Sequence, residues 1–189
     1  RVVSIGPAGE RLVRYACLQN DLEHYNGRTG MGAVMGSKNL KAVAVRGTQK
    51  LQLADPDKVK EIARWHNERI KTHPPNVGLT KFGTTGLVKG INDGGFLPTR
   101  NFKEGVFEGA DKLAAPAYHE TIFHSNSTCW ACAVRCKRRV ELKHEKYPLD
   151  KRFGGAEYEA LAALGSMLAI DNLPAVARGN QIALPASAM

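Results

Sequence analysis

The sequence lacks any long apolar run. No stretch approaches the roughly 20 apolar residues that a membrane-spanning helix needs, so we expect no membrane partner. It also lacks internal repeats and low-complexity tracts, which argues against a solenoid or a disordered linker. Aromatic residues make up only 7%, but hydrophobic residues make up 43% of the 189 residues, which is enough apolar material for a folded core.

Cysteine is scarce as well, with four in the chain, and three of the four fall within residues 129–136. The chain starts at Arg1, and residues 1–6 read as a strand already under way. We therefore expect an internal piece of a longer protein with no signal peptide directly before it. Clustered cysteines without a secretory signal favour metal binding in a reducing compartment over disulfides. We expect the cytoplasm.

Acidic residues are outnumbered by basic ones, and the formal net charge is +9. Such a charge suits nucleic acid, an anionic cofactor or an acidic protein partner. The basic residues are spread along the chain and are densest at residues 137–139. A solvated basic face is the plainest interpretation, and we expect no nucleic-acid partner.

The order of patterns predicts an α+β fold. Residues 2–5, 12–18 and 42–45 read as strands, and a glycine-rich segment lies between the second and the third. From the helix-start signal at Asp55 and Pro56, helical spacing dominates, with a strong amphipathic helix over 156–169. We therefore divide the chain into a sheet-rich part, residues 1–50, and the start of a mainly helical part, residues 51–189.

Cys129, Cys132 and Cys136 follow a C-x2-C-x3-C spacing. Thiolates suit zinc or an iron–sulfur cluster, and both need a fourth ligand. A zinc ribbon would need a second ligand pair, and no nearby histidine forms a recognised pair spacing. A cubane cluster can use three local cysteines and one distant one, so the spacing favours iron–sulfur while zinc stays open.

Gly27, Gly30 and Gly32 belong to a glycine-rich segment that also carries Arg28. Free backbone N–H groups beside a cation can hold a phosphate. The segment fits neither the dinucleotide fingerprint nor the Walker pattern. An anion-binding loop and a merely tight turn both stay open.

Glu159 lies with Glu157 at the start of the amphipathic helix. Acidic residues in a first helical turn commonly serve the helix dipole. By itself, this position does not mark a catalytic group.

Taken in order, these segments resemble the tungsten-containing aldehyde ferredoxin oxidoreductase family. The most specific block is G-R-T-G-M-G-A-V-M-G-S-K-N at residues 27–39. The other matching segments follow in family order and cover the chain from residue 2 to about residue 180: residues 4–10, 81–84, 101–102, the cysteine run, 157–159 and 163–165.

The resemblance implies a role for each site residue. Family members bind tungsten or molybdenum between two pterins, beside a [4Fe–4S] cluster. Cys129, Cys132 and Cys136 match three cluster ligands, and the fourth ligand lies far downstream. Glu159 matches a carboxylate beside the metal that accepts a proton. The glycine loop matches the family segment that binds a pterin and its phosphate. Its matching residues are Gly27, Arg28, Gly30 and Gly32.

The implied reaction converts an aldehyde and water to a carboxylic acid, with electrons leaving through the cluster to ferredoxin or a similar acceptor. Lys137, Arg138 and Arg139 are the expected docking surface for that acceptor. A same-family enzyme acting on another substrate, such as an aromatic acyl-CoA, is one alternative. A zinc-stabilised basic module that binds nucleic acid is another, and a degenerate structural piece is a third.

Departures from the family pattern limit these expectations. His24 stands where some members have a pterin-contacting arginine, and Arg178 stands where some carry a glutamate that bridges subunits through a metal. The state of oligomerisation therefore stays open. Since the fourth cysteine and the first pterin segment are missing, we expect this chain alone to be inactive and unable to hold a complete cofactor set.

Overall fold

The first part of the chain forms one antiparallel sheet. The structure is a computed structural model that describes residues 1–27, 29–49 and 51–188, with side chains as far as Leu184. The strands are β1 (Val2–Ser4), β2 (Leu18–Asn20), β3 (His24–Asn26) and β4 (Ala42–Ala44), in the order β3-β2-β1-β4. Two short helices, α1 (Pro7–Glu10) and α2 (Met31–Ser37), lie between the strands in sequence and pack against each other.

The second part is mainly helical and contains one hairpin. The hairpin pairs β5 (Phe123–Ser127) with β6 (Lys137–Val140). The predicted α+β fold is confirmed. The helices are α3 (Pro56–Ile70), α4 (Pro74–Phe82), α5 (Leu87–Asp93), α6 (Ala110–Leu113), α7 (Ala115–Thr121), α8 (Tyr158–Leu164) and α9 (Leu173–Ala188), with 3₁₀ turns at Gly83–Gly86 and Ser166–Leu168.

Within the described residues, no single helix is long and apolar enough to cross a membrane. Only the pair Tyr158–Leu168 and Leu173–Leu184, bent by 118°, passes by length and composition together.

The hydrophobic core lies in the helical part, where the completely buried side chains include Leu113, Tyr118 and Leu161. Helix α9 packs against α8 and also against α1 and β2, so it joins the helical part to the sheet. Helix α3 begins as predicted, because the Asp55 carboxylate accepts a hydrogen bond from the Lys58 backbone N–H at 2.8 Å.

Two predicted boundaries are wrong. The strand predicted over 12–18 begins only at Leu18, because Leu12 adopts a left-handed turn with φ of 57°. Cys17 therefore precedes the strand and is half-buried. The helix predicted over 156–169 is interrupted at Gly165, whose φ and ψ of −107° and −94° are not helical. A 3₁₀ turn continues the chain from Ser166.

Helices α1 and α2 meet through glycines whose backbones nearly touch. A Cβ at Gly36 would lie 2.0 Å from the Gly9 carbonyl oxygen, and a Cβ at Gly9 would lie 2.9 Å from that of Gly32. Both distances are below any contact that a real Cβ makes. The pairing of α1 with α2 therefore requires residues without a side chain at these positions.

We expect Gly36→Ala to lower the free energy of unfolding by about 1–3 kcal/mol, because the new methyl group overlaps the α1 backbone. Urea unfolding followed by circular dichroism measures this loss. Gly90→Ala is the control, since Gly90 lies inside helix α5 with open space beside it. That change should stabilise the protein by about 0.5–1 kcal/mol. A neutral Gly36→Ala would contradict the close helix contact.

Candidate cluster-binding loop

The three clustered cysteines lie on the loop that connects β5 to β6. The pairing of Ser127 with Lys137 closes this loop, so residues 128–136 form what we call the cysteine loop. Ala131 and Arg135 have φ of 57° and 54°, which allows two sharp reversals. The Thr128 hydroxyl donates to the Cys132 carbonyl oxygen at 2.6 Å and ties the first reversal together. All three thiols therefore belong to one compact segment.

The C-terminal end of helix α4 supports the cysteine loop. The Thr80 hydroxyl donates to the Val134 carbonyl oxygen at 2.7 Å, and the Asn126 amide donates to the Thr80 carbonyl oxygen at 3.0 Å. Gly83 follows with φ of 63°, and a Cβ there would lie 2.6 Å from the Cys136 carbonyl oxygen. The loop can approach α4 this closely only because position 83 is glycine.

Arg138 lies beneath the cysteine loop and is only 3% exposed. Its guanidinium donates to the carbonyl oxygens of Arg135 at 3.1 Å and Lys137 at 2.9 Å. It also donates to those of Leu79 at 3.0 Å and Thr80 at 2.9 Å. Burial lowers the pKa of Arg138. One guanidinium thus joins the loop to the end of α4.

Arg138 cannot belong to the expected basic docking surface at residues 137–139, because it is buried, whereas Arg139 is exposed. Its two neighbours also have acidic partners: Lys137 pairs with Glu157 at 2.5 Å, and Arg139 pairs with Glu23. Alternation along strand β6 explains the difference, since the middle of three strand residues points to the opposite face from its neighbours. The sequence showed three adjacent cations but not this separation.

The thiols differ in their surroundings. Cys129 is exposed, and its Sγ lies 3.8 Å from Nδ1 of His24 in β3, so the sheet reaches the loop. Cys132 and Cys136 are half-buried. Burial raises the pKa of the Cys136 thiol, and the Glu157 carboxylate adds to the rise. The loop therefore presents one thiol at the protein surface and two that are half-buried.

The donor set fits an iron–sulfur cluster better than a complete protein-only metal site. In the part of the chain that the structure describes, no group of three His, Cys, Asp or Glu residues is arranged to hold a metal ion. Three thiols on one loop, backed by a buried cation, match thiolate ligation of a negatively charged cluster. A fourth ligand would come from elsewhere, as the cysteine spacing already indicated.

The predicted glycine loop is partly explained by contacts within the chain. Gly30 starts helix α2 with φ of 83°, and a Cβ there would lie 2.4 Å from the Arg14 carbonyl oxygen. At Gly32, a Cβ would lie 2.6 Å from the Cys17 carbonyl oxygen. Around Gly27, the described atoms leave open space. Arg28 lies outside the described residues, so the anion-binding role stays a prediction.

Glu159 lies exposed in the first turn of helix α8. The start of this helix is fixed by two contacts: the Tyr158 backbone N–H donates to the Thr84 hydroxyl at 3.0 Å, and Glu157 pairs with Lys137. Because Lys137 directly follows Cys136, the ion pair links the cysteine loop to the helix that carries Glu159. The structure thus connects two of the predicted site segments through an ion pair that the sequence did not indicate.

A cleft of about 700 Å³ borders the cysteine loop on the sheet side. Its walls combine Cys129 and Trp130 with His24 and Tyr25 of β3 and with valines of β1 and β4. Burial raises the pKa of Tyr25 to about 12, and its hydroxyl accepts a hydrogen bond from Gln19 at 2.6 Å. Sequence reasoning missed this cleft, because the contact between sheet and loop joins residues about a hundred positions apart.

We expect Thr80→Val to lower the free energy of unfolding by about 1–2 kcal/mol, because the part-buried Val134 carbonyl oxygen loses its donor. Thr121→Val is the control: Thr121 is exposed, and among the described residues its hydroxyl bonds only to the Ala117 carbonyl oxygen of its own helix, at 2.6 Å. Denaturant unfolding of both variants gives the comparison. Equal losses in the two variants would show that the bond from Thr80 does not support the cysteine loop.

Known families and structures match the chain along nearly its whole length. Residues 1–47 match the N-terminal domain of aldehyde ferredoxin oxidoreductase, and residues 61–184 match domains 2 and 3. A tungsten-containing aldehyde ferredoxin oxidoreductase of Pyrococcus abyssi is 42% identical over 97% of this chain and 30% of the relative. One of Thermococcus kodakarensis is 41% identical over 95% of this chain and 29% of the relative.

A solved structure has a related fold. It is the active site complex BamBC of benzoyl coenzyme A reductase in complex with 1,5-dienoyl-CoA, with a TM-score of 0.59. The match covers 99% of this chain and 29% of that one at 23% identity, so it speaks for the fold alone. The chain spans about 30% of the length of the curated relatives it matches.

Proposed function

The chain belongs to the aldehyde ferredoxin oxidoreductase family, and we propose that it forms part of an enzyme that oxidises aldehydes to carboxylic acids. The observation that carries this proposal is the cysteine loop, with three thiols held on α4 over a buried arginine. The family resemblance read from the sequence is confirmed. A zinc-stabilised nucleic-acid module has no comparable support, because both parts of the chain match this one family.

We propose that the residues present contribute to two cofactor sites. Cys129, Cys132 and Cys136 would hold a [4Fe–4S] cluster, with a fourth ligand from elsewhere. The pterin and its phosphate would lie against Gly27, Arg28, Gly30 and Gly32, where Gly27 has open space around it. A tungsten or molybdenum pterin cofactor would supply two-electron oxidation chemistry there, and the cluster would supply one-electron transfer. We propose that the chain divides into residues 1–50, which carry the pterin-binding glycines, and residues 51–189, which carry the cluster-binding cysteines.

Glu159 is the proposed proton acceptor. Its carboxylate lies in the first turn of helix α8, where it is exposed and can accept a proton from a bound substrate or water. The Tyr158–Thr84 hydrogen bond and the Lys137–Glu157 ion pair hold the start of α8 in place. Glu159 itself is exposed and free to face a substrate, while Glu157 is held by its ion pair.

Ferredoxin or a similar one-electron acceptor is the proposed partner, by analogy with the relatives' names. Aldehydes are favoured over aromatic acyl-CoA substrates, because the aldehyde-oxidising relatives are far more similar in sequence than the benzoyl-CoA reductase. The docking site for the acceptor cannot include the Arg138 side chain, because that side chain is buried.

We expect Glu159→Gln in the complete enzyme to lower kcat for aldehyde oxidation by about 10²–10⁴-fold, the usual contribution of a general base. Iron and tungsten contents should stay at the wild-type level, because the amide has the same size and the side chain is exposed. The exposed Glu120 of helix α7 provides the control, and Glu120→Gln should leave kcat unchanged. A Glu159→Gln enzyme with full activity would rule out the proposed proton acceptor.

We expect Cys129→Ser, Cys132→Ser and Cys136→Ser each to reduce the cluster iron and sulfide of the complete enzyme, because serine replaces a thiolate ligand by a poor one. Cys17→Ser serves as the matched control and should retain the wild-type iron content. Metal analysis and EPR spectra of the reduced proteins make the comparison. Full iron content in all three loop variants would exclude the cysteine loop as the cluster site.

A further inference from the structure

We propose that Arg138 is a positioning residue that raises the reduction potential of the cluster bound by the cysteine loop. The inference rests on the proposed function, since it requires a cluster at this loop. Arg138 is buried, and its hydrogen bonds reach the cysteine loop above it as well as the end of α4. Two properties carry the argument, namely its hydrogen bonds and its charge.

The hydrogen bonds of Arg138 set the shape of the cysteine loop. Its donors reach the carbonyl oxygen of Arg135, inside the loop, and those of Leu79 and Thr80 at the end of α4. Arg135 is one of the two left-handed residues of the loop, and it directly precedes Cys136. A bond to the Arg135 carbonyl therefore fixes the reversal that presents Cys136.

The Arg138 guanidinium makes no ion pair with a carboxylate of the described residues, and the Glu157 carboxylate, which attracts it from a distance, is paired with Lys137. Among the residues that the structure describes, its hydrogen-bond acceptors are all backbone carbonyl oxygens, and its Nε makes no hydrogen bond. Lys137 and Arg139 on either side have Glu157 and Glu23 as partners. A guanidinium stays protonated in proteins, so one full positive charge remains buried beside the thiols.

A buried charge acts strongly on the electron that a cluster accepts. Reduction adds one negative charge to the cluster, and a nearby cation stabilises the reduced form more than the oxidised form. Solvent screens this attraction much less for a buried cation than for an exposed, paired one. Charge and hydrogen bonding around a cluster are recognised determinants of its potential. Arg138 is placed to exert this effect, whereas Arg139 is exposed and paired.

Gly83 makes this arrangement possible. A Cβ at position 83 would lie 3.4 Å from Cζ and Nε of Arg138, besides its closer approach to the Cys136 carbonyl oxygen. The absence of a side chain thus leaves room for both the guanidinium and the loop backbone.

The test compares the cluster's midpoint potential, from an EPR-monitored redox titration of the complete enzyme, in four proteins. These are the wild type, Arg138→Gln, Arg138→Lys and Arg139→Gln. The glutamine removes the charge and keeps a donor, and the lysine keeps the charge but has fewer, differently placed donors. Arg139→Gln removes the same charge from the neighbouring exposed position. Iron content is measured on every sample.

We expect Arg138→Gln to move the potential to a lower value, while Arg138→Lys and Arg139→Gln stay close to the wild type. An unchanged potential in an iron-replete Arg138→Gln enzyme, or a shift equal to that of Arg139→Gln, would overturn the inference. A merely structural arginine would lower the iron content or the stability without moving the potential of the clusters that remain.

Two further outcomes are also decisive. Arg138→Gln could lose its iron altogether. In that case, an Arg138→Lys enzyme that keeps its cluster at an unchanged potential supports a requirement for the positive charge. Loss of the cluster in both variants rejects that requirement. A wild-type enzyme that contains no cluster iron would overturn the proposed function itself, and the inference with it. The iron analysis therefore separates failure of the inference from failure of the function on which it rests.

Discussion

The buried guanidinium of Arg138 is the contact on which the rest of the candidate site depends. It binds carbonyl oxygens from the end of helix α4 and from the cysteine loop, two segments almost sixty residues apart in sequence. Leaving these carbonyls without donors inside the protein would be costly, and a single arginine has enough N–H groups to serve them all. Together with the Thr80 hydrogen bond and Gly83, this side chain sets the path of the cysteine loop and hence the location of its thiols.

The alternation of strand β6 distributes the neighbouring charges. With Arg138 directed inward, Lys137 and Arg139 lie on the other face, where they pair with Glu157 and Glu23. The first pair leads to helix α8 and Glu159, and the second leads to the sheet, since Glu23 directly precedes β3. A hydroxyl from Ser127 also bonds to Glu23. The hairpin that holds the cysteine loop is therefore tied to both parts of the chain.

Small residues supply the complementary constraint. Gly83 lets the cysteine loop lie on α4, and Gly36 and Gly9 let α2 lie on α1. In each case the close approach is between backbone atoms of the chain itself. This gives the glycine-rich segment a structural reason that is independent of any ligand, except at Gly27, beside which the described atoms leave open space.

The local features could be predicted from the sequence alone. Cysteine spacing, the Asp55 cap of α3 and the α+β order of elements all depend on residues that are near neighbours in the chain, so short-range patterns were enough to predict them. Two boundaries were missed. The strand begins only at Leu18 because the chain turns at Leu12, and the helix breaks at Gly165 because the backbone of that glycine is not helical. Family membership also followed from the residue pattern.

Long-range contacts in the fold determine which of three adjacent cations is buried, which carboxylate is paired and which side chains border the cleft beside Cys129. Each of these depends on contacts between distant residues, such as Arg138 with Leu79 and Arg139 with Glu23. Charge and hydrophobicity along a chain do not encode such pairings. They arise when burial forces each polar group to find a partner in space.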